Sequence, residues 1–154
     1  MPKEPVTLLL LSAQTPLCVG LYDASGVLVR RYERTGQISQ VLYPLFREIG
    51  AEFEVVALAY ARGPGSFMGL KLGFVFLRSF AIAKKIPMRS ASSFFFSAGA
   101  PIVATRHSAY LLSDDKISLC RLESAPENRM QLPKRVDFEA LDEPLEPLYI
   151  QPAV

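Results

Sequence analysis

Histidine and cysteine are scarce in this 154-residue chain, which has His107, Cys18 and Cys120 and no more of either. With no CxxC pair and a single histidine, a Cys/His zinc site cannot be assembled. Two thiols far apart in sequence also make a disulfide scaffold a poor reading. They fit a reducing compartment, with the cysteines serving as small core residues. Charge of one sign is lacking too: 17 Lys+Arg against 15 Asp+Glu leave +2, too little to mark a nucleic-acid binder. No apolar run approaches the roughly 18 residues of a membrane span; Leu70 to Ala83 is broken by Lys71 and Arg78. The leader before Val6–Leu11 sets Lys3 against Glu4 and suits a first strand better than a signal peptide. The expectation is a cytoplasmic protein with no membrane partner.

What is present is apolar: half the residues are hydrophobic and 21% are charged, enough for one buried core. Leu8–Leu11 is a continuous apolar run, as in a strand buried on both faces. Leu17–Tyr22 and Val27–Tyr32 follow after Gln14-Thr15-Pro16 and Asp23-Ala24-Ser25-Gly26, short turns that imply antiparallel hairpins. Ile38, Val41, Leu42, Leu45, Phe46 and Ile49 then mark one buried face of a helix that contains Pro44 and stops at Gly50. Val55–Ala61 is a second buried strand, followed by a glycine-rich turn and a helix ending near Lys84-Lys85. Ile86–Arg89 is a short strand, placed by Pro87 at an edge or a strand start. The order is three strands, helix, strand, helix, strand, with Ser90–Ala98 short or irregular. Ile102–Thr105, Ala109–Leu112 and Ile117–Leu122 are three weaker strand candidates. From Ala125 the chain is polar and proline-rich, an extended tail. The expected division is residues 1–98 and residues 99–154.

The turn Arg62-Gly63-Pro64-Gly65-Ser66-Phe67-Met68-Gly69 is the strongest local motif. Glycines open the backbone and a following helix directs its positive end at the turn, so it can cradle an anion, with Arg62 or Lys71 adding charge. The other reading is a tight structural turn in which Ser66 caps the helix. No Walker A frame fits, and Gly63, Gly65 and Gly69 make GxGxxxG, one residue longer than the dinucleotide fingerprint. The opening hairpins also oppose a dinucleotide domain. The helix after the turn is apolar around nearly its whole circumference, apart from a stripe of Lys71, Arg78 and Lys85 at seven-residue steps. One side of a helix suffices to pack on a small sheet, so its outer side needs cover from the chain or from another protein. No catalytic constellation emerges. His107 reads as surface or structural, Cys18 as a core thiol and Asp114-Asp115 as a solvated turn. Lys84, Lys85 and Arg89 read as a helix end favoured by its dipole.

The stretch from Leu58 to Gly73, carrying RGPGSFMG, resembles the signature segment of the TsaB (YeaZ) family, with Met68 where that family has threonine. Ile86-Pro87, Ser92-Ser93, the Ser39–Pro44 stretch and the Pro147–Pro152 ending are similar to other family segments. The resemblance implies an α/β actin-like ATPase or ribonuclease H-like domain, βββαβα, with a truncated second lobe. It implies a non-catalytic subunit that supports a TsaD-type catalytic subunit, with a TsaE-type ATPase, in threonylcarbamoyl modification of the adenosine beside the tRNA anticodon. Contact with tRNA would be indirect or weak, the isolated chain would form a homodimer, and no cofactor is expected. Interface residues from the first two helices would be Tyr43, Phe46, Leu70, Phe74, Leu77 and Arg78. The anion-site alternative uses Arg62, Gly63, Pro64, Gly65, Ser66 and Gly69 in a nucleotide- or phosphate-binding enzyme of the same superfamily. In active ATPases of this fold the first strand ends in an aspartate. Here Leu11-Ser12-Ala13-Gln14-Thr15 has no carboxylate, which removes an anchor for a cation and argues against hydrolysis by this chain.

Overall fold

The computed structural model describes residues 2–105, 107–123 and 130–149. Five strands form one mixed sheet: β1 (Glu4–Leu11), β2 (Leu17–Tyr22), β3 (Leu28–Arg34), β4 (Phe53–Ala61) and β5 (Met88–Ala91), in the order β3-β2-β1-β4-β5. β1, β2 and β3 pair antiparallel through the two short turns, and β4 and β5 join in parallel beyond β1. The crossovers are the helices α1 (Ile38–Glu52), between β3 and β4, and α2 (Phe67–Lys84), between β4 and β5. β3 and β5 are the two edge strands, and Pro87 stands immediately before β5, where a missing N–H costs no ladder bond.

The two-residue period of the strands divides the core into two layers. Val6, Leu8 and Leu10 of β1, Leu17, Val19 and Leu21 of β2, and Leu58 and Tyr60 of β4 face α1 and α2. Leu9, Leu11, Cys18, Tyr22, Ala59 and Ala61 face the other way. This is why the Leu8–Leu11 run has no polar alternation: both faces are covered. On the second face lie α3 (Ser93–Phe96), the strand residues Ile102 and Tyr110, and the apolar side chains of the C-terminal segment, among them Met130, Leu132, Val136 and Leu141.

The later strands β6 (Ile102–Thr105), β7 (Ser108–Ser113) and β8 (Lys116–Arg121) form a separate antiparallel sheet in chain order. Asp114 and Asp115 both have positive φ, the backbone that a two-residue hairpin turn demands, so the acidic pair is a β-turn.

Residues 130–149 run extended, with one 3₁₀ turn at Phe138–Ala140; Met130, Leu132, Val136 and Leu141 strap the second face, and Leu145 packs against the first. Gln131 N–H donates to the Phe96 carbonyl, the Tyr22 hydroxyl to Pro133, and Leu28 N–H to Lys134. Further on, Arg89 donates to the Leu141 carbonyl and the Ser90 hydroxyl to Pro144 at 2.7 Å. The strap thus crosses from the β2–β3 turn to the β5 edge, satisfying groups that the sheet leaves open.

Candidate functional site

Two regions carry the residues that the sequence singled out: the glycine-rich turn and the outer face of the two long helices.

In the turn, Ser66 caps α2: its hydroxyl accepts from Gly69 N–H at 3.3 Å. The Ser66 N–H donates to the Ala13 carbonyl at 3.0 Å, and the Ser12 hydroxyl donates to the Gly69 carbonyl at 2.8 Å. A Cβ on Gly65 would stand 2.5 Å from Ala13 Cβ, one on Gly69 2.0 Å from the Ser12 carbonyl oxygen, and one on Gly73 2.3 Å from Ser12 Oγ. These glycines therefore let α2 lie directly on the end of β1. Gly63, at φ +123°, faces the Leu148 carbonyl, which a Cβ would meet at 2.5 Å. Gly63 and Pro64 are joined by a cis peptide.

Arg62 is bound into the strap. Its Nε donates to the Glu146 carbonyl at 2.9 Å, its carbonyl accepts from Leu148 N–H, and Nη1 lies 3.8 Å from Glu143 Oε2. The Tyr60 hydroxyl donates to the Leu145 carbonyl, and Tyr149 packs its ring 4.9 Å from that of Phe67. Burial pushes the Tyr60 phenol far above its ordinary range, with Arg62 opposing the shift. Space around Gly65 and Gly69 is filled by Ser12 and Ala13, and the polar groups of Arg62 and Ser66 are engaged. The structural-turn reading accounts for these contacts: the Ser66 amide is bonded to the Ala13 carbonyl and the Gly69 amide to the Ser66 hydroxyl.

Ser12, in the Leu11–Thr15 stretch that lacks a carboxylate, is buried with its hydroxyl on the Gly69 carbonyl. Among the described residues no cluster of His, Cys, Asp and Glu could hold a metal ion. A cleft of about 450 Å³ opens beside this point, between the N-terminal turns of α1 and α2, lined in part by Gln14, Thr15, Arg34, Gln37, Ser66 and Met68. Arg34 in that cleft is paired with Glu48 at 2.9 Å. Cys18 is buried against Gln14 and Glu33, and burial followed by the nearby carboxylate raises its thiol. It is an inert core thiol.

The helix pair gives a mixed answer for the six interface candidates. Tyr43 is 61% exposed, under Arg47, whose guanidinium carbon lies 5.9 Å from the ring centroid, and Arg78 is exposed. Phe74 is half-buried, its ring 5.9 Å from that of Tyr60. Leu70 and Leu77 must be corrected: both are fully buried beneath α2 and cannot line an outer surface. Phe46 likewise points inward, edge-on to Phe76 at 4.7 Å and Phe80 at 5.1 Å. The reason is geometric. Leu70, Leu77 and Ala81 share the side of α2 that meets the sheet, and apolar residues on every side hid which side that was.

The outward residues are Met68, Val75 and Ile82, 54, 52 and 63% exposed, on one row at seven-residue steps. They adjoin the Lys71, Arg78 and Lys85 row, and that stripe was the signal in the sequence for the solvent side. A shallow groove between α1 and α2, lined by Ile38, Ser39, Leu42, Leu72, Val75, Phe76 and Ser79, continues the face toward Tyr43. The strap packs Tyr149 on Phe67 at the start of α2, and the row itself stays exposed.

A five-stranded mixed sheet in the order β3-β2-β1-β4-β5, with two crossover helices on one face, is the actin-like, ribonuclease H-like α/β class. The model of the family described as TsaD, tRNA N6-adenosine threonylcarbamoyltransferase, matches residues 33–112, more than half of the chain, and the chain belongs to that family. It is a TsaB/YeaZ-like member. YeaZ from Pseudomonas aeruginosa superposes with a TM-score of 0.59 at 22% identity, over 84% of this chain and 71% of that one. An uncharacterized protein with similarity to peptidase YEAZ, from Pseudomonas aeruginosa, matches with the same TM-score and identity over 75% of this chain and 63% of its own. The chain thus spans about two thirds of the length of these structures. A search of curated protein sequences returned no match.

Proposed function

We propose that this chain is a non-catalytic partner subunit for a TsaD-type catalytic subunit in tRNA threonylcarbamoyladenosine modification. Its α1–α2 face is the docking surface. The observation that carries this reading is the row Met68, Val75 and Ile82, more than half exposed on a helix already packed on its own sheet. Apolar side chains in that position gain by leaving water only if something covers them. The chain contributes binding area and no group-transfer chemistry: the Leu11–Thr15 stretch at the end of β1 has no carboxylate, and its glycine turn serves helix docking and the strap. A TsaE-type ATPase would join through the assembled pair, and tRNA would be held chiefly by the catalytic subunit.

Co-expression with a TsaD-type subunit, followed by size-exclusion chromatography with light scattering, tests this. The expected result is a stable heteromeric complex. Val75→Asp or Ile82→Asp should weaken it by roughly a hundredfold while leaving the fold intact, because each sets a charge in the apolar row. A chain that never co-elutes, or aspartate variants that bind unchanged, would overturn the proposal.

One observation favours a second reading, the cleft between the two helix N-termini. In that reading the chain binds a nucleotide or phosphate there, with Arg34 and the first turns of α1 and α2 as its contacts. Calorimetry with ATP and magnesium decides it; absence of saturable heat removes it.

A further inference from the structure

The docking face carries a charge pattern that its apolar row does not explain. Lys71 and Arg78 stand seven residues apart along α2, about 10.5 Å, and Lys85 follows another seven residues on as the helix C-cap, in a left-handed backbone conformation. They flank Met68, Val75 and Ile82, which have the same step. All three cations are exposed, and α2 contains no acidic residue from Phe67 to Lys84. The ion pairs among the described residues engage Arg30, Arg31, Arg34 and Arg62; none engages Lys71, Arg78 or Lys85. Lys71 instead leans toward the Phe67 ring, 6.0 Å from its centroid.

An apolar row of three with the helical cations Lys71 and Arg78 beside it at the same seven-residue step, and Lys85 at the helix end, fit a second helix whose own rows repeat at that step, lying near-parallel to α2. We infer that the surface takes an amphipathic helix of another protein that sets carboxylates opposite Lys71, Arg78 and Lys85. This rests on the docking reading above and names the partner's chemistry.

A second copy of the chain fits worse. Across a two-fold axis an antiparallel helix pair brings each flank against its own equivalent, so α2 on α2 sets three cations facing three cations. The homodimer implied by the family resemblance is therefore weaker than the hetero-pair at low salt. A phosphate backbone would match the cations but would bury Met68, Val75 and Ile82 against a solvated anion.

The test uses the full chain and two synthetic helical peptides with identical apolar rows. One peptide has glutamate and the other lysine at the flanking positions. Fluorescence anisotropy at low salt should show the glutamate peptide binding at least about tenfold tighter, with the preference shrinking as salt is raised. The variant combining Lys71→Glu, Arg78→Glu and Lys85→Glu, with folding verified by circular dichroism, should prefer the lysine peptide. Equal affinities, binding of neither peptide, an unreversed preference, or displacement of the glutamate peptide by a tRNA anticodon stem-loop would each overturn the inference. The docking reading fails separately. If the triple variant still co-elutes unchanged with a TsaD-type subunit, the charge inference is wrong and docking stands. If the wild-type chain prefers the glutamate peptide yet never retains that subunit, docking to it is wrong and the helix inference stands.

Discussion

The Ser12 hydroxyl donates to the Gly69 carbonyl across 2.8 Å, tying the end of β1 to the first turn of α2. The bond forms because Gly69 has no side chain: a Cβ there would stand 2.0 Å from the Ser12 carbonyl oxygen. Gly69→Ala should therefore push α2 off the sheet, at a cost of about 3 kcal/mol or more. Ser12→Ala removes one buried hydrogen bond and leaves the Gly69 carbonyl without this donor, costing about 1–2 kcal/mol. Gly50, inside α1, provides the contrast. A Cβ there meets nothing within 4 Å, so Gly50→Ala should stabilise by about 0.5–1 kcal/mol through helix propensity. Urea unfolding of the three variants checks all three signs.

The two sides of α2 separate packing from docking. Leu77 is fully buried, so Leu77→Ala should cost about 2–5 kcal/mol. Val75 is half exposed, and Val75→Ala should change stability by less than about 0.5 kcal/mol. Thermal melts of the isolated chain measure both. A comparable loss at the two positions would mean that the exposed row is held by something within the chain.

Much of this fold was legible in the sequence because its elements are punctuated. The two short turns and the single-faced α1 each admit one local reading, and β1 to β5 follow in the expected order; Gly50, expected to stop α1, instead lies inside it, and the helix runs on to Glu52. The glycine-rich turn was less legible: whether Gly65, Gly69 and Gly73 face a ligand or a strand depends on what lies opposite. Here that is Ser12 and Ala13, far away in sequence. The side of α2 that faces out was hidden by its uniform apolarity, which is why Leu70 and Leu77 stood among the interface candidates. The course of residues 130–149 was not readable either. Its anchors are largely carbonyl oxygens, which every residue has, so side-chain pattern carries no trace of where they bind.

High pH should loosen that strap. Tyr22 and Tyr60 are fully buried, and burial raises both phenols well above 10 while their hydroxyls donate to the Pro133 and Leu145 carbonyls. A raised folded-state value means that the unfolded chain releases its proton first. Stability is then fully present below about pH 10 and falls as pH rises above it, by about 1.4 kcal/mol per pH unit for each tyrosine. Unfolding midpoints from pH 7 to pH 11 should be flat with respect to these groups up to about pH 10 and then drop. Tyr60→Phe should reduce the slope above pH 10 and cost about 1 kcal/mol at neutral pH through its lost hydrogen bond. A midpoint that falls equally in Tyr60→Phe and in the wild type would show that Tyr60 has no part in the alkaline loss.

The last anchor of the strap is Gly63. Its φ of +123° disfavours any side chain, and a Cβ would press within 2.5 Å of the Leu148 carbonyl oxygen. Gly63→Ala should therefore lift residues near Leu148 away from the turn, breaking the Leu148 N–H bond to the Arg62 carbonyl and the Tyr149 contact with Phe67. Arg62→Ala should release the same segment more gently, since it removes the Nε bond to Glu146 and the long pair with Glu143 but leaves the backbone bond. Limited proteolysis followed by mass spectrometry reads the difference: cleavage within 143–149 should rise most in Gly63→Ala, less in Arg62→Ala and least in the wild type. The row Met68, Val75 and Ile82 lies outside the strap's path, so affinity for a TsaD-type subunit should stay within about threefold in Arg62→Ala. A loss of binding that tracks strap release across the two variants would instead mean that the clasp at the turn helps to shape the docking face.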